Sequence, residues 1–425
     1  MKVKSNFLFL ISCSFAIPVF PQQKIKSYVQ KNYEQIRAVD VLDSNYNDLE
    51  PIGRAIGDKR IVMLGEQDHG DVPTFFAKTR LIKYLHEKKG FNVLAFESDF
   101  FALNEGQKEI GNIEDFISYI QGNIFGIWTR CKACAELFNN YLPSQFTSSN
   151  KITVTGFDSQ THGRYSATKL SMFLDSVFTN NQWGISGDFS YIKGQLVMLA
   201  DSMTKYWQSG NMDYGKLDTT LLYLNSIIDI YEKKHSNDFT ILVLNSILAT
   251  VRSLISYHKN DLWSSAIVRD EQMAKNLDWL VNTKYKNEKV IIWAASFHIA
   301  NNINTIQIYS DTVKNMGTLF LKDPKNASQT YSIGFTSYIG TAGRLSNLLP
   351  VCRVQAPEKK SFENWFGKKD FAFIDFTDYN RLIKTPERFL MKPLGHADNI
   401  KAPWTTIFDG IFHIRKMYDC KTYNK

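Results

Sequence analysis

Short apolar runs recur along the chain, and each closes on a polar residue with chemistry to offer. Ile61-Val62-Met63-Leu64 runs into Gly65-Glu66-Gln67-Asp68-His69-Gly70, and Val93-Leu94-Ala95-Phe96 into Glu97-Ser98-Asp99. Ile152-Thr153-Val154-Thr155-Gly156-Phe157 runs into Asp158, and Val290-Ile291-Ile292-Trp293-Ala294 leads to His298. Runs of this length, rich in β-branched residues, predict strands buried on both faces. Between the first two, Ala77, Leu81, Tyr84 and Leu85 recur at helical spacing over Pro73 to Lys89, and Gly90 supplies the stop. Strand, helix, strand in this rhythm predicts an α/β fold, a mainly parallel central sheet flanked by helices.

Residues 165–262 break the rhythm. Tyr191–Trp207, Leu217–Lys234 and Phe239–His258 read as amphipathic helices with no strand-like run between them. They predict a helical insertion or cap that divides the α/β core into residues 22–164 and 263–425. Tyr331–Ile339, Phe371–Phe376 and Ile407–Phe412 are candidate late strands.

The first 21 residues read as a signal peptide. Lys2 and Lys4 precede an almost wholly apolar stretch from Asn6 to Phe20, which predicts cleavage near Pro21 and a periplasmic or secreted protein. Leu10-Ile11-Ser12-Cys13 also matches a lipoprotein box, which would anchor the chain through Cys13. No 18-residue apolar run follows, so no membrane span is expected in the body of the chain. With 14% aromatic and 22% charged residues the chain is not disordered, and its +8 net charge is not gathered into the basic stripe that nucleic-acid binding needs. Cys131-Lys132-Ala133-Cys134 has no second pair at zinc spacing, and reads as two half-buried thiols to which no chemistry is assigned.

In an open parallel sheet, ligands bind beyond the carboxyl ends of the strands. Glu66, His69, Glu97, Asp158 and His298 all fall there. Singly, such a histidine is an ordinary loop residue and such a glutamate a helix cap; together at one rim they predict a reactive site. Arg269 lies four residues before Met273 on a buried helical stripe, where it needs an anionic partner or a polar cavity. Glu97 and Arg269 are therefore expected to serve the site and not the fold. Asp158 is expected to contact the substrate, and Arg80 and Trp128 are weaker candidates for the same role. The chain has no G-x-S-x-G, G-x-G-x-x-G, P-loop or H-E-x-x-H. Two chemistries stay open: a histidine base oriented by glutamate that activates water directly, or a His/carboxylate metal site that does so through a bound ion.

Several of these segments, taken in order, resemble the erythromycin esterase family. They are Gly65-Glu66-Gln67-Asp68-His69-Gly70, Arg80-Leu81-Ile82, Ala95-Phe96-Glu97, Trp128, Gly156-Phe157-Asp158, Arg269-Asp270 with Met273-Ala274 and Asn276, and Trp293 with His298. The resemblance implies a metal-independent, cofactor-free hydrolase that opens the lactone ring of 14-membered macrolides. It puts the general base at His69, carboxylates at Glu66 and Glu97, a second catalytic histidine at His298 and the family arginine at Arg269. Asp68, Asp71-Val72-Pro73 and Ala295-Ser296-Phe297 depart from the family pattern, which bears on the substrate more than on the hydrolysis. The wider superfamily leaves two alternatives: a metal-dependent hydrolase or protease with His69, His298 and the glutamates as ligands, and a non-catalytic haem or small-ligand binder of the envelope. The expected partner is a small ester or lactone, with no nucleic acid.

Overall fold

The computed structural model describes residues 21–180, 217–233, 238–309, 312–343 and 351–422. Its strands are β1 (Glu34–Gln35), β2 (Ile61–Glu66), β3 (Phe91–Asp99), β4 (Thr153–Asp158), β5 (Lys289–Ala295), β6 (Thr330–Ala342), β7 (Cys352–Val354), β8 (Phe371–Asp375), β9 (Phe389–Met391), β10 (Ile400–Ala402) and β11 (Gly410–Met417). Among the described residues, nine of them form one sheet in the order β1-β8-β11-β6-β2-β5-β3-β4, with β7 on β6. The run from β11 to β4 is parallel throughout. β8, β1 and β7 join it antiparallel, so the sheet is mixed.

The apolar runs are continuous because the parallel strands are covered on both sides. Ile61, Met63, Val93, Ala95, Val290 and Ile292 face one hydrophobic layer. Val62, Leu64, Leu94, Phe96, Ile291 and Trp293, the intervening residues, face the other. The helix expected after the first strand spans Val72–Lys89, with Pro73 in its first turn and Gly90 closing it at φ 73°. Two late elements differ from expectation. The last strand begins at Gly410, not Ile407, because Trp404–Thr406 turns helically before it, and the strand at Phe371 runs antiparallel to its neighbours.

Within 165–262 the described residues are helical, at Arg164–Asn180, Leu217–Glu232 and Phe239–His258. The helix expected at Tyr191–Trp207 lies outside the described residues. Phe239–His258 is long and apolar enough to cross a membrane by length and composition, yet two thirds of it is buried against the rest of the chain. Its Thr250 hydroxyl donates to Ser159 O at 2.8 Å, and Ser246 meets Asn276, whose amide donates to Phe157 O at 3.1 Å. The helical segment is thereby tied to the end of β4, beside the rim where the site lies.

Cys131 is disulfide-bonded to Cys420 and not to Cys134, which is a buried free thiol. The C-terminal segment that carries Cys420 reaches the rim: Val72 N donates to Tyr418 O at 3.1 Å, and Lys132 N to Lys421 O at 2.9 Å.

Candidate active site

Parallel register brings the strand ends to one edge. Glu66 pairs with Ala295, Phe96 with Trp293, and Asp99 with Asp158. The β3–β4 register slips between Phe96 and Asp99, so Glu97 and Ser98 lie in an irregularity of the kind that re-aims a side chain. Gly65 lets the next segment close in: a Cβ there would stand 2.8 Å from the Ser296 Cα. That close approach seats the short helix Ser296–Ile299, and His298 with it, over the end of β2.

The site has two halves. In the first, His69 Nδ1–H donates to Glu66 Oε1 at 3.0 Å, which leaves Nε2 as the acceptor nitrogen. The other Glu66 oxygen is paired with Lys78, whose ammonium is fully buried, donates to Ala294 O at 3.1 Å and lies over the Trp293 ring. Burial pushes the Lys78 ammonium below its ordinary range, while the Glu66 charge beside it opposes the shift. The His69 ring stands nearly perpendicular to the buried Trp128 ring, with centroids 5.3 Å apart.

In the second half, Arg269 spans two buried carboxylates. Its Nη2 donates to Glu97 Oε1 and to Asp158 Oδ2, each at 2.7 Å, and its Nε to Asp158 Oδ1 at 3.1 Å. His298 lies between carboxylates too, with Nδ1 2.8 Å from Asp270 Oδ1 and Nε2 3.3 Å from Glu97 Oε1. Met316 N fixes Asp270 from behind at 2.7 Å. Glu97 joins the halves. Burial alone would raise its pKa, but His298 and Arg269, with His69 further off, hold it well below the ordinary carboxylate value.

Burial would lower the pKa of His298, but Asp270 and Glu97 outweigh it and raise it from 6.5 to about 10. The sign follows: the charged imidazole stabilises the fold fully below 6.5, and that contribution is lost as pH rises through about 10. An NMR titration should find His298 cationic through neutral pH. Asp270→Asn should move its midpoint down by about a unit or more. A wild-type midpoint near that of a free imidazole would contradict the two-carboxylate shell.

Glu66, His69, Glu97, Asp158, Arg269, His298 and Trp128 thus converge on one rim. Arg80 does not join them. It is buried on the shoulder of its helix, where it donates to Asp48 at 2.7 and 2.9 Å and to the carbonyls of Ala38 and Asn45, pinning the segment before β2. Asp158 is fully buried on Arg269, so its place is that of a counter-ion and not a substrate contact. Arg269 likewise serves the fold as well as the site, since it balances two buried charges. Lys78, paired with Glu66, and Asp270, paired with His298, join the candidate site without having been singled out by the pattern. Lys78 carried a signal: it sits at the core-stripe spacing of Phe75, Ile82 and Leu85, where a lysine is out of place.

Among the described residues, no group of three or more His, Cys, Asp or Glu is disposed to hold a metal ion. The donor chemistry agrees. Glu66 is engaged by His69 and Lys78, Glu97 and Asp158 by Arg269, and Asp270 by His298, so an entering dication would compete with fixed cations.

A family model described as erythromycin esterase matches residues 86–417. The matched stretch begins after Glu66 and His69 and includes Glu97, Asp158, Arg269 and His298. The Bacillus subtilis protein named "Putative hydrolase YbfO" is 28% identical over 362 residues, covering 80% of this chain and 79% of that one. Erythromycin esterase type II of Escherichia coli is 40% identical over 65 residues, 15% of each chain. Two crystal structures share the fold: a Bacillus cereus protein at TM-score 0.70 and 18% identity, covering 95% of this chain and 99% of that one, and a protein titled for succinoglycan biosynthesis at 0.68 and 19%, covering 94% and 98%. A variant of the erythromycin esterase EreC in its open conformation shares it at 0.66 and 16%, covering 92% and 100%.

Proposed function

Because the chain belongs to the erythromycin esterase family, we propose that it is a carboxylic ester hydrolase that opens a macrolide lactone with water activated by His69. Family membership and the curated relative point to a hydrolase; the ester bond, the macrolide and the histidine mechanism are our reading. The observation that carries it is the contrast between the two histidines. His69 has one carboxylate, itself paired with Lys78, whereas His298 lies between two. One imidazole is thus arranged to take a proton, and the other to remain charged.

In this reading His69 Nε2 removes a proton from water as the oxygen attacks the lactone carbonyl, and Glu66 holds the Nδ1 proton and stabilises the imidazolium. The oxyanion forms against the cationic edge of Arg269 and His298, which are fixed before the reaction begins. Collapse expels the ring alkoxide, which takes the proton back from His69. No residue of the chain becomes acylated. Trp128 supports His69 from behind by its ring contact.

We also place the protein outside the reducing cytosol. The Cys131–Cys420 disulfide is the observation that supports this, and it agrees with an N-terminal export segment.

Mass spectrometry of erythromycin incubated with chelator-treated protein tests the reading. The expected product carries one added water, and activity survives chelation. Hydrolysis of simple esters with erythromycin left intact would remove the macrolide and keep the esterase. Activity restored only by a divalent ion would favour a metal-dependent hydrolase, and a Soret band without turnover a haem binder.

A further inference from the structure

A buried Asp71–His396–Ser337 series stands next to the site but outside the reaction just described. His396 is 6% exposed and lies between β9 and β10. Its Nε2 is 2.8 Å from Asp71 Oδ1, and its Nδ1 is 3.0 Å from Ser337 Oγ. The composition is that of a nucleophilic triad, yet Ser337 is fully buried on β6, where no ester can reach it. A different use is written in the bonds that continue from Asp71. Its second oxygen accepts from Asp68 N at 3.0 Å, and Asp68 Oδ1 accepts from His69 N at 2.8 Å. Two residues before His69, the Gln67 amide donates to Gly395 O at 2.9 Å and to Lys392 O. Asp71 also ends the loop, since its carbonyl accepts from Phe75 N at 2.9 Å as the next helix begins.

We infer that His396 is a positioning residue for His69: from a segment more than 300 residues away in sequence, it holds Asp71, and through Asp71 and Asp68 it fixes the loop that presents the base. The inference rests on His69 being the reacting imidazole. The loop is held from one side at both of its ends, the Gln67 side chain on the carbonyls of Lys392 and Gly395 and the Asp71 side chain on His396, and between them the His69 ring lies against Glu66 and Trp128. A base loosened by an ångström loses rate while substrate binding stays much the same.

The test compares His396→Ala, His396→Gln and His396→Asn. Glutamine can carry an amide N–H to the place of Nε2, whereas asparagine is too short to reach Asp71. His396→Ala is expected to lower kcat per folded molecule about 10–100-fold with KM within about twofold, and His396→Gln to recover most of it. The His69 imidazole ¹⁵N signals should show one tautomer in wild type and in His396→Gln, and a mixture in His396→Ala. Should His396→Ala not fold, the Gln and Asn variants carry the same comparison. Wild-type kcat and unmoved His69 signals in His396→Ala, or equal damage from Gln and Asn, would overturn the inference. If wild-type protein hydrolyses no ester, the His69 signals still decide whether His396 sets that ring, so failure of the functional reading is seen separately.

Discussion

Replacing His69 with alanine is expected to lower turnover by about 10²–10⁴-fold, and by more where no other base can reach the water. The fold should barely register the change. His69 contributes one hydrogen bond to Glu66 and a ring contact to Trp128, and Glu66 keeps Lys78 when the imidazole is gone. No buried charge is left alone, so the stability cost should be about 1 kcal/mol, a shift of a few degrees at most in Tm. Circular dichroism and thermal melting beside steady-state kinetics check both halves of the expectation. A folded variant with more than about a tenth of wild-type kcat/KM would remove His69 as the base.

Arg269 should behave in the opposite way. Its guanidinium spans Glu97 and Asp158, which are 2% and 0% exposed, so Arg269→Met leaves Asp158 buried without its cation and Glu97 with His298 alone. Breaking such a group typically costs about 3–5 kcal/mol. Tm should fall by several degrees or more, and the molecules that remain folded should have lost the donor that meets the oxyanion. Arg269→Lys separates these effects. A lysine restores a charge but carries its donors on one nitrogen and lacks the planar fork that spans both carboxylates, so stability should recover in part and turnover much less. The same Tm for wild type and Arg269→Met would show that the two carboxylates do not depend on this charge. Full activity per folded Arg269→Lys molecule would show that the planar fork is not used.

The difference between these residues marks how much of the site could be read before the fold was known. Strands buried on both faces announce themselves as apolar runs, and a parallel sheet sends their C-terminal ends to one rim, so Glu66, His69, Glu97, Asp158 and His298 were legible as a set. Arg269 was legible because an arginine breaks an apolar stripe. What the pattern could not supply was pairing. Arg80 and Arg269 both sit on helices with a buried face, and only the folded chain shows that one meets Asp48 and the other Glu97 and Asp158. Lys78 was hidden among the other basic residues of its helix, although its spacing set it apart. Asp270 was hidden by its neighbour Arg269.

Long-range closure was the least legible. His396 meets Asp71 across 325 residues, and Cys131 meets Cys420 across 289, and neither separation leaves a local trace. The Cys131/Cys134 spacing suggested proximity to each other, while the partner of Cys131 lay near the far end of the chain. The antiparallel β8 at the sheet edge was equally silent, since its apolar run reads the same in either direction.

Single-turnover hydrolysis of erythromycin in ¹⁸O water, with chelator-treated enzyme in excess over substrate, bears most directly on a His69-activated water acting without an acylated carboxylate. The expected acid product carries one heavy oxygen from the first turnover, and His69→Ala forms almost none of it. Unlabelled acid in that first turnover would mean that a carboxylate of the protein delivered the oxygen, and an intact macrolide would mean that this lactone is not the substrate; either result would contradict the mechanism set out for this site.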